Sequence, residues 1–238
     1  MATIQIGALE MQLNRKPIKH LHISVLPPDG KVRVSAPESM SDNAIRMAVI
    51  KRIPWIKKQK HEFATQPRQT NREMVSGECH YLWGRSYRLN LIEQQGRHQA
   101  IVAAGNKINL MVSPGTLTEH KERTLNEFYR NELKTCVGKL IDKWQDTLGV
   151  KPAFIGIKKM KTKWGSCNTQ DKRIWLNLEL AKKAPECAEY ILVHELIHLL
   201  ERKHNERFMA YMDKWMPDWR ERRDLLNKSP LAFDEWTY

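Results

Sequence analysis

The residues best suited to chemistry lie at 194–198, where the chain reads HELIH, an H-E-x-x-H pattern. Side chains four positions apart on a helix project from one face, so His194 and His198 can reach one metal ion. Glu195 follows the first histidine directly, and this offset lets its carboxylate reach a metal-bound water rather than the metal. The pattern predicts a zinc ion that lowers the pKa of this water to about 7, with Glu195 as general base and later proton donor to a leaving amine.

A catalytic zinc usually has three protein ligands and one open position, so a third ligand is needed. His204 is our choice, because its spacing from His194 matches that of the metzincin pattern H-E-x-x-H-x-x-G-x-x-H. The glycine position of that pattern holds Glu201 here, so the turn back to the metal must come from residues such as Asn205, in a left-handed or capping conformation. Glu201 is the rival ligand, although it lies about 10 Å from His194 along the helix axis. Two more distant carboxylates remain as alternatives, Glu206 and Asp213.

Hydrolysis at such a centre also needs a donor to the developing oxyanion. Four side chains qualify, and the sequence does not choose among them: Tyr211, Asn205, Asn177 and Lys163. Of these, Asn177 and Tyr211 are predicted to contact the substrate. The loop that contains Trp164 and Cys167 has two interpretations, either a core tryptophan followed by a glycine turn or a border of the cleft in which the Cys167 thiolate blocks the zinc.

The elements that position these residues follow from hydrophobic periodicity. Apolar residues from Leu125 to Leu148 recur at three- and four-residue steps and predict a long amphipathic helix. Thr118 is its expected N-cap, and Gly149 is expected to stop it.

The catalytic motif itself is predicted on a helix that Pro185 opens, because proline suits the first helical position. Two strands, around residues 154–157 and 174–178, are predicted to flank the loop at 161–168. Two further helices are expected to follow the motif, over about 205–215 and from Pro217.

The first half of the chain reads as a small sheet with one or two helices. Residues 18–35 alternate apolar and polar side chains around a Pro-Pro-Asp-Gly turn and predict a hairpin. A helix is predicted to begin near Asp42 and to be interrupted at Pro54. Residues 66–73 are polar and predict a loop. Short apolar segments separated by turn residues between 78 and 113 predict an antiparallel meander, and we find no internal repeat in the sequence.

Composition narrows the class of protein. No stretch approaches the roughly 18 apolar residues of a membrane span, and the first residues do not resemble a signal peptide, which favours the cytoplasm. The four cysteines form no CxxC pair, so a reducing compartment fits. The formal net charge is +13, and residues 1–110 contribute +9 of it, with 17 Lys and Arg against 8 Asp and Glu. A basic surface attracts nucleic acid without specificity, although solubility alone is an adequate reason for the charge.

At the motif the chain resembles the YgjP-like metallopeptidases, relatives of the SprT and WLM-type zinc proteases. Three blocks carry the resemblance: KWGSC at 163–167 with IWLNL at 174–178, YILVHELIH at 190–198, and HNERF at 204–208. The resemblance implies a compact zincin-like fold and His204 as third ligand. It also implies that the strand around Ile174–Leu178 lies above the metal and pairs with an extended substrate.

Together these observations predict an α+β fold in two parts. Residues 1–115 are expected to form an antiparallel β-rich part with one or two helices. Residues 116–238 are expected to form a zincin-like helical part with a small sheet over the active-site helix, and the two parts can pack as one compact unit.

Three functions fit this sequence. The first is a zinc peptidase that acts on peptides or unfolded protein segments. The second is a DNA-associated protease, as the SprT and WLM relatives are, in which Trp55 and Trp83 among the basic residues of the first half stack on bases. The third is a non-enzymatic binding module with a vestigial zinc site. The presence of Glu195 speaks against the third, because a purely structural site does not need that carboxylate. The expected partners are a peptide or protein substrate and non-specific nucleic acid, with no membrane.

Overall fold

The computed structural model describes residues 2–7, 9–26, 30–65, 73–160 and 163–228. The chain divides into two compact units, one within residues 1–70 and one within residues 71–229. The α+β class predicted from the sequence is confirmed, since both units combine a sheet with helices.

The first unit is a four-stranded sheet followed by one helix. Its strands are β1 (Ala2–Ile6), β2 (Leu9–Lys16), β3 (His22–Leu26) and β4 (Lys31–Pro37), in the order β1-β2-β4-β3. The predicted hairpin is confirmed as the antiparallel pair β3–β4, although residues 27–29 of its turn lie outside the described residues. The sheet is not wholly antiparallel, because β2 and β4 pair in parallel.

Helix α1 (Asp42–Thr65) completes the first unit and buries the apolar side chains along one of its faces. Ile45, Val49 and Ile56 are fully buried and share a core with alternate residues of β4, such as Val34. The buried residues recur with the 3.6-residue period of the helix and the two-residue period of the strand, so one face of the helix packs against one face of the sheet. Pro54 lies inside the helix and does not end it. Most of the predicted loop at 66–73 lies outside the described residues.

The second unit begins with another four-stranded sheet. It comprises β5 (Cys79–Leu82), β6 (Arg85–Glu93), β7 (Gln99–Ala103) and β8 (Lys107–Val112), in the order β5-β6-β8-β7. The predicted meander is therefore wrong in its pairing, because the β7–β8 hairpin folds back so that β8 lies parallel to β6. The strand order is the same as in the first unit, and each sheet is followed by a helix. The two units thus repeat one chain topology, a four-stranded sheet followed by a helix, although the amino-acid sequence shows no internal repeat.

The long helix predicted after this sheet is α2 (Thr118–Leu148). Gly149 ends it in the left-handed conformation at φ 63°, as expected of a glycine at this position. Thr118 is the first helical residue rather than the cap, since the capping position is Leu117, which makes no side-chain cap hydrogen bond.

A third sheet and three helices complete the second unit. The strands β9 (Phe154–Lys158), β10 (Gly165–Asn168) and β11 (Arg173–Asn177) lie in the order β10-β11-β9. The loop predicted between two strands thus contains a third, short strand, β10. A 3-10 helix at Leu178–Lys182 follows, and then the helices α3 (Pro185–Ile197), α4 (Glu206–Trp215) and α5 (Trp219–Lys228).

One hydrophobic core joins the second sheet, α2, the third sheet and α3 to α5. Leu89 of β6, Leu133 of α2, Leu176 of β11 and Leu192 of α3 all belong to it. The boundary expected near residue 115 therefore lies inside the second compact unit, because the second sheet shares its core with the helices that follow. Within the described part of the chain, every helix is too short or too polar to cross a membrane.

Candidate metal centre

Helix α3 places the first two histidines of the motif. Its side chains are buried on most of its circumference, and Leu192, Val193 and Leu196 are fully inaccessible to solvent. Pro185 occupies the first turn, as predicted, where its missing N–H removes no helical hydrogen bond. His194 and His198 lie one turn apart on the remaining partly open face.

The turn after α3 brings the third histidine back to the first two. The backbone N–H groups of Leu199 and Leu200 bond to the carbonyls three residues earlier, which tightens the end of the helix. Asn205 then caps α4 in an extended conformation, and its Oδ1 accepts a hydrogen bond from the N–H of Phe208 at 3.0 Å. The predicted capping role of Asn205 is confirmed. Glu201 is not among the described non-glycine residues with positive φ, so this turn works without a glycine.

The three imidazoles converge on one point. The Nε2 atoms of His194 and His204 are 3.0 Å apart, and one ligand atom from each of the three histidines lies within 4.8 Å of the others. The Nδ1 of His198 donates to the carbonyl oxygen of Glu201 at 3.1 Å. Because a carbonyl only accepts, this bond places the proton on Nδ1 and leaves the Nε2 lone pair for a metal.

Phe208 forms the floor of this histidine cluster. Its ring centroid lies 4.9 Å from that of His194, 4.9 Å from that of His198 and 4.8 Å from that of His204. The side chain is 1% exposed. The sequence assigned no role to Phe208, although an aromatic residue four positions after a metal ligand, on the inner face of a helix, is a usable signal.

Burial favours the neutral form of His194 and His198, which is the protonation state that binds metals. Desolvation, followed by the neighbouring His198 and His204, lowers the pKa of His194 from 6.5 to about 3. Desolvation is also the main cause that lowers the pKa of His198. These two imidazoles therefore offer lone pairs rather than charges at neutral pH.

Glu195 lies beside the cluster and is 5% exposed. Desolvation raises its pKa from 4.5 to about 7, against an opposing effect of Lys163. Gly165 of β10 packs directly against the carboxylate, since a Cβ at this position would lie 2.6 Å from Glu195 Oε1. A carboxylate held in place, with a pKa near neutrality, suits a general base.

The cluster opens into a cleft of about 700 Å³ between α3 and the strand β10. Residues 163–170 form the strand wall, Ile191 and the motif side chains form the helix wall, and Arg202 and His204 come from the turn between α3 and α4. In the described sheet, β10 is an edge strand with β11 as its one strand partner. The strand at Ile174–Leu178 was expected to pair with substrate; this is wrong, because β11 is bonded on both edges, to β10 and β9.

The structure places Asn177 and Tyr211 outside the cleft lining, since neither is among the described residues that line it. The Asn177 side chain is 5% exposed and donates to the carbonyls of Met160 and Lys163, at 2.9 and 2.7 Å. It therefore holds the segment that leads into the strand wall. The Tyr211 hydroxyl accepts a hydrogen bond from Arg207, and its ring lies against Trp215.

The rival metal ligands are also engaged away from the histidines. The carboxylate of Glu201 accepts the backbone N–H of Lys203 at 3.1 Å. Asp213 pairs with Arg220 and accepts a hydrogen bond from the Trp219 indole at 2.8 Å. Among the described residues, neither of these acids nor Glu206 joins the group able to hold an ion, which consists of the three histidines.

The loop around Cys167 combines both interpretations drawn from the sequence. Trp164 packs against the core and also lines the cleft. Cys167 lines the cleft too, and its burial, together with nearby Glu195, raises its pKa to about 11. Without a metal ion the thiol is therefore protonated at neutral pH, and the thiolate that blocks a bound metal stays a prediction, because a metal ion deprotonates a thiol that binds it.

Comparison with known proteins gives one family and several similar solved structures, among them two metallopeptidase zymogens. The family described as YgjP-like, metallopeptidase domain matches residues 19–229. The metallopeptidase zymogen abylysin of Pyrococcus abyssi is 25% identical over 38% of this chain and 90% of its own, with a TM-score of 0.35. The metallopeptidase zymogen jannalysin of Methanocaldococcus jannaschii is 23% identical over 40% of this chain and 87% of its own, also with a TM-score of 0.35. No curated protein shows significant similarity to the chain.

Proposed function

This chain belongs to the YgjP-like metallopeptidase family, and on that premise we propose that it cleaves peptide bonds with a zinc ion held by His194, His198 and His204. The single observation that carries the proposal is the convergence of three imidazoles beside a buried carboxylate.

The histidine cluster fits zinc in donor type and in spacing. Zinc sites with bonds to nitrogen of about 2.0–2.1 Å have ligand atoms roughly 3.3 Å apart in a tetrahedron. The measured separation of 3.0 Å between the Nε2 atoms of His194 and His204 lies close to that value. The bond from His198 to the Glu201 carbonyl supplies the outer contact that orients a metal-binding imidazole.

The side chains around the cluster suit peptide hydrolysis. A bound zinc supplies a Lewis acid and lowers the pKa of water at its open position. Glu195 accepts the proton from the attacking water and passes it to the leaving amine, which requires a carboxyl pKa near neutrality. Gly165 leaves the space in which this carboxylate sits.

The edge strand β10 gives the cleft a means of holding an extended peptide. Its free edge presents backbone donors and acceptors beside the histidine cluster, and an added strand satisfies them. Backbone pairing recognises a peptide irrespective of most of its side chains, which agrees with action on unfolded segments.

The test combines metal analysis with a peptide-library cleavage assay. Wild-type protein should bind about one zinc per chain and cleave peptides, whereas Glu195→Gln should bind zinc and lose cleavage. His204→Ala should lose zinc, while Glu206→Ala and Asp213→Ala should keep it. Glu186→Gln, which changes an exposed carboxylate on the same helix, serves as the matched control. Zinc-loaded wild type that cleaves no peptide, and so behaves like Glu195→Gln, would instead support a non-enzymatic module, whereas cleavage by Glu195→Gln at the wild-type rate would remove Glu195 from the mechanism.

A second candidate function is contact with nucleic acid through the first unit. A groove of about 440 Å³ runs between β3 and α1, and Lys51, Arg52 and Trp55 line it together. The Trp55 side chain is 39% exposed. Residues 1–70 contain 12 Lys and Arg against 5 Asp and Glu, a net +7. A stacking surface between cations is what single-stranded nucleic acid requires.

This candidate predicts salt-sensitive binding of single-stranded DNA that Trp55→Ala and Lys51→Gln weaken. Trp83 is a suitable control aromatic residue, because it packs against the core of the second unit and its indole donates to Glu132. Absence of binding at low salt would reject this candidate and leave the peptidase unaffected.

We also propose a reducing, cytoplasmic location. All four cysteines are described, and all are free thiols. A protein exported to an oxidising compartment more often pairs its cysteines. Fractionation of cells that express the tagged chain is the direct measurement.

A further inference from the structure

We infer that Lys163 and Arg202, the two lysine or arginine side chains among the described residues that line the cleft, make this enzyme select substrates that carry a carboxylate near the scissile bond. The inference rests on the proposed peptidase function and adds a substrate class to it. It follows from the charges of the cleft, their positions on its walls and the state of the neighbouring acids.

The cleft is cationic around its reaction centre. Besides the three histidines, three described lining residues have ionisable side chains that matter near neutral pH: Lys163, Arg202 and Glu195. Glu195 is buried and reserved for proton transfer, so it does not neutralise both cations for an incoming substrate. A divalent ion on the histidines adds further positive charge. Charge of one sign in a cleft with low-dielectric walls raises the local concentration of oppositely charged ligands.

The two cations lie on different walls. Lys163 precedes Trp164 and the first residue of β10, on the strand side of the cleft. Arg202 lies on the turn between α3 and α4, two residues before the ligand His204. A peptide that pairs with β10 therefore passes between a cation at the start of the strand and a cation beside the metal ligands. The other end of the strand wall offers neutral hydrogen-bonding side chains: Asn168, Thr169 and Gln170.

Two acids that adjoin the lining residues in the chain, Glu201 and Asp171, accept hydrogen bonds within their own turns. The carboxylate of Glu201 accepts the backbone N–H of Lys203. Asp171 accepts a hydrogen bond from the side chain of Asn168 at 2.7 Å. Neither carboxylate is among the described residues that line the cleft, so a substrate carboxylate is the complementary group for its two cations.

The expected preference is moderate, because Arg202 and Lys163 are solvent-exposed. Exposed ion pairs change affinity by about two- to fivefold each, and salt screens them. The preference should therefore appear chiefly in KM, and it should shrink as ionic strength rises.

The experiment compares fluorogenic peptides that are identical except for glutamate or glutamine on each side of the cleaved bond. Each peptide is made with a free and with an amidated C-terminus, which separates a side-chain carboxylate from the terminal one. They are assayed on zinc-loaded wild type, Lys163→Gln, Arg202→Gln and Lys203→Gln. Lys203 is the matched control, since it is an exposed cation next to Arg202 that is not among the described lining residues.

The wild type should favour glutamate peptides, or free-carboxylate peptides, by about fourfold or more in kcat/KM. Lys163→Gln and Arg202→Gln should each reduce that preference, whereas Lys203→Gln should keep it. Cleavage of all peptides at equal rates would overturn the inference and leave the proposed peptidase standing. If no peptide is cleaved, the peptidase proposal fails, and binding of the same peptides to zinc-loaded Glu195→Gln, followed by fluorescence anisotropy, decides the charge preference separately.

Discussion

Glu195 should destabilise the metal-free protein above neutral pH, and Glu195→Gln should relieve this cost. Burial raises the pKa of this carboxyl from 4.5 to about 7. Because the folded state holds the proton more tightly than the unfolded chain, Glu195 costs no stability below pH 4.5, where it is protonated in both states. Its cost grows as the pH rises from 4.5 to about 7, and it is complete above that.

The magnitude follows from the two pKa values. A difference of about 2.5 in pKa corresponds to about 3 kcal/mol, at about 1.4 kcal/mol for each pKa unit. Glutamine has nearly the same shape and no ionisable proton, so the variant avoids this loss. Its free energy of unfolding relative to wild type should rise from near zero at pH 4.5 to a gain of up to about 3 kcal/mol at pH 8.

Urea denaturation in the presence of a chelator, followed by tryptophan fluorescence at pH 4.5, 6 and 8, measures the effect. Glu186→Gln is the control, because its carboxylate is exposed in the first turn of the same helix. That substitution should leave stability unchanged or reduce it by up to about 1 kcal/mol, since an acid near a helix N-terminus is favourable. A difference between Glu195→Gln and wild type that stays constant across pH would refute the assigned cause.

Three further substitutions test how the site is held together. Gly165→Ala should still bind zinc, but its kcat should fall roughly 100-fold. The reason is that the added Cβ would lie 2.6 Å from Glu195 Oε1 and must displace that carboxylate. A kcat equal to that of the wild type would contradict the packing of Gly165 against Glu195. Phe208→Leu should keep the fold, at a cost below about 1.5 kcal/mol in the free energy of unfolding. It should weaken zinc binding about tenfold, because the histidine rings lose a supporting contact. Chelator competition measures the zinc affinity, and an affinity equal to that of the wild type would show that Phe208 does not support the metal centre. Asn177→Ala should lower the free energy of unfolding by about 1–3 kcal/mol, because the carbonyls of Met160 and Lys163 lose their buried donor. Thermal denaturation measures the change. A melting temperature equal to that of the wild type, together with weaker peptide binding, would support Asn177 as a substrate contact.

Predictions of helices and of one hairpin were confirmed where a pattern recurs over a few neighbouring residues. The period of α2 and its glycine stop, the motif helix with Pro185 in its first turn, and the hairpin β3–β4 are all present. Each depends on interactions between residues close in the chain, so local periodicity and turn chemistry carry enough information to predict them.

Strand pairing is where the sequence was insufficient. The parallel pairs β2–β4 and β6–β8 join strands separated by an intervening hairpin strand, and the residues of each strand do not encode which neighbour it takes. The same holds for the edge that we propose to bind substrate. The apolar segment that became β11 was the more obvious strand, yet its two bonded neighbours leave the short β10 at the edge.

The candidate site shows the same division. The sequence by itself determined that His194, Glu195 and His198 share one helix face, because helical geometry places residues three and four apart together. The tertiary structure decided that His204 rather than a carboxylate completes the cluster, that Phe208 underlies it, and that Asn177 braces a loop. The physical reason is that these roles depend on how a turn, a second helix and a sheet edge pack against α3, and contacts between distant segments are set by the whole core.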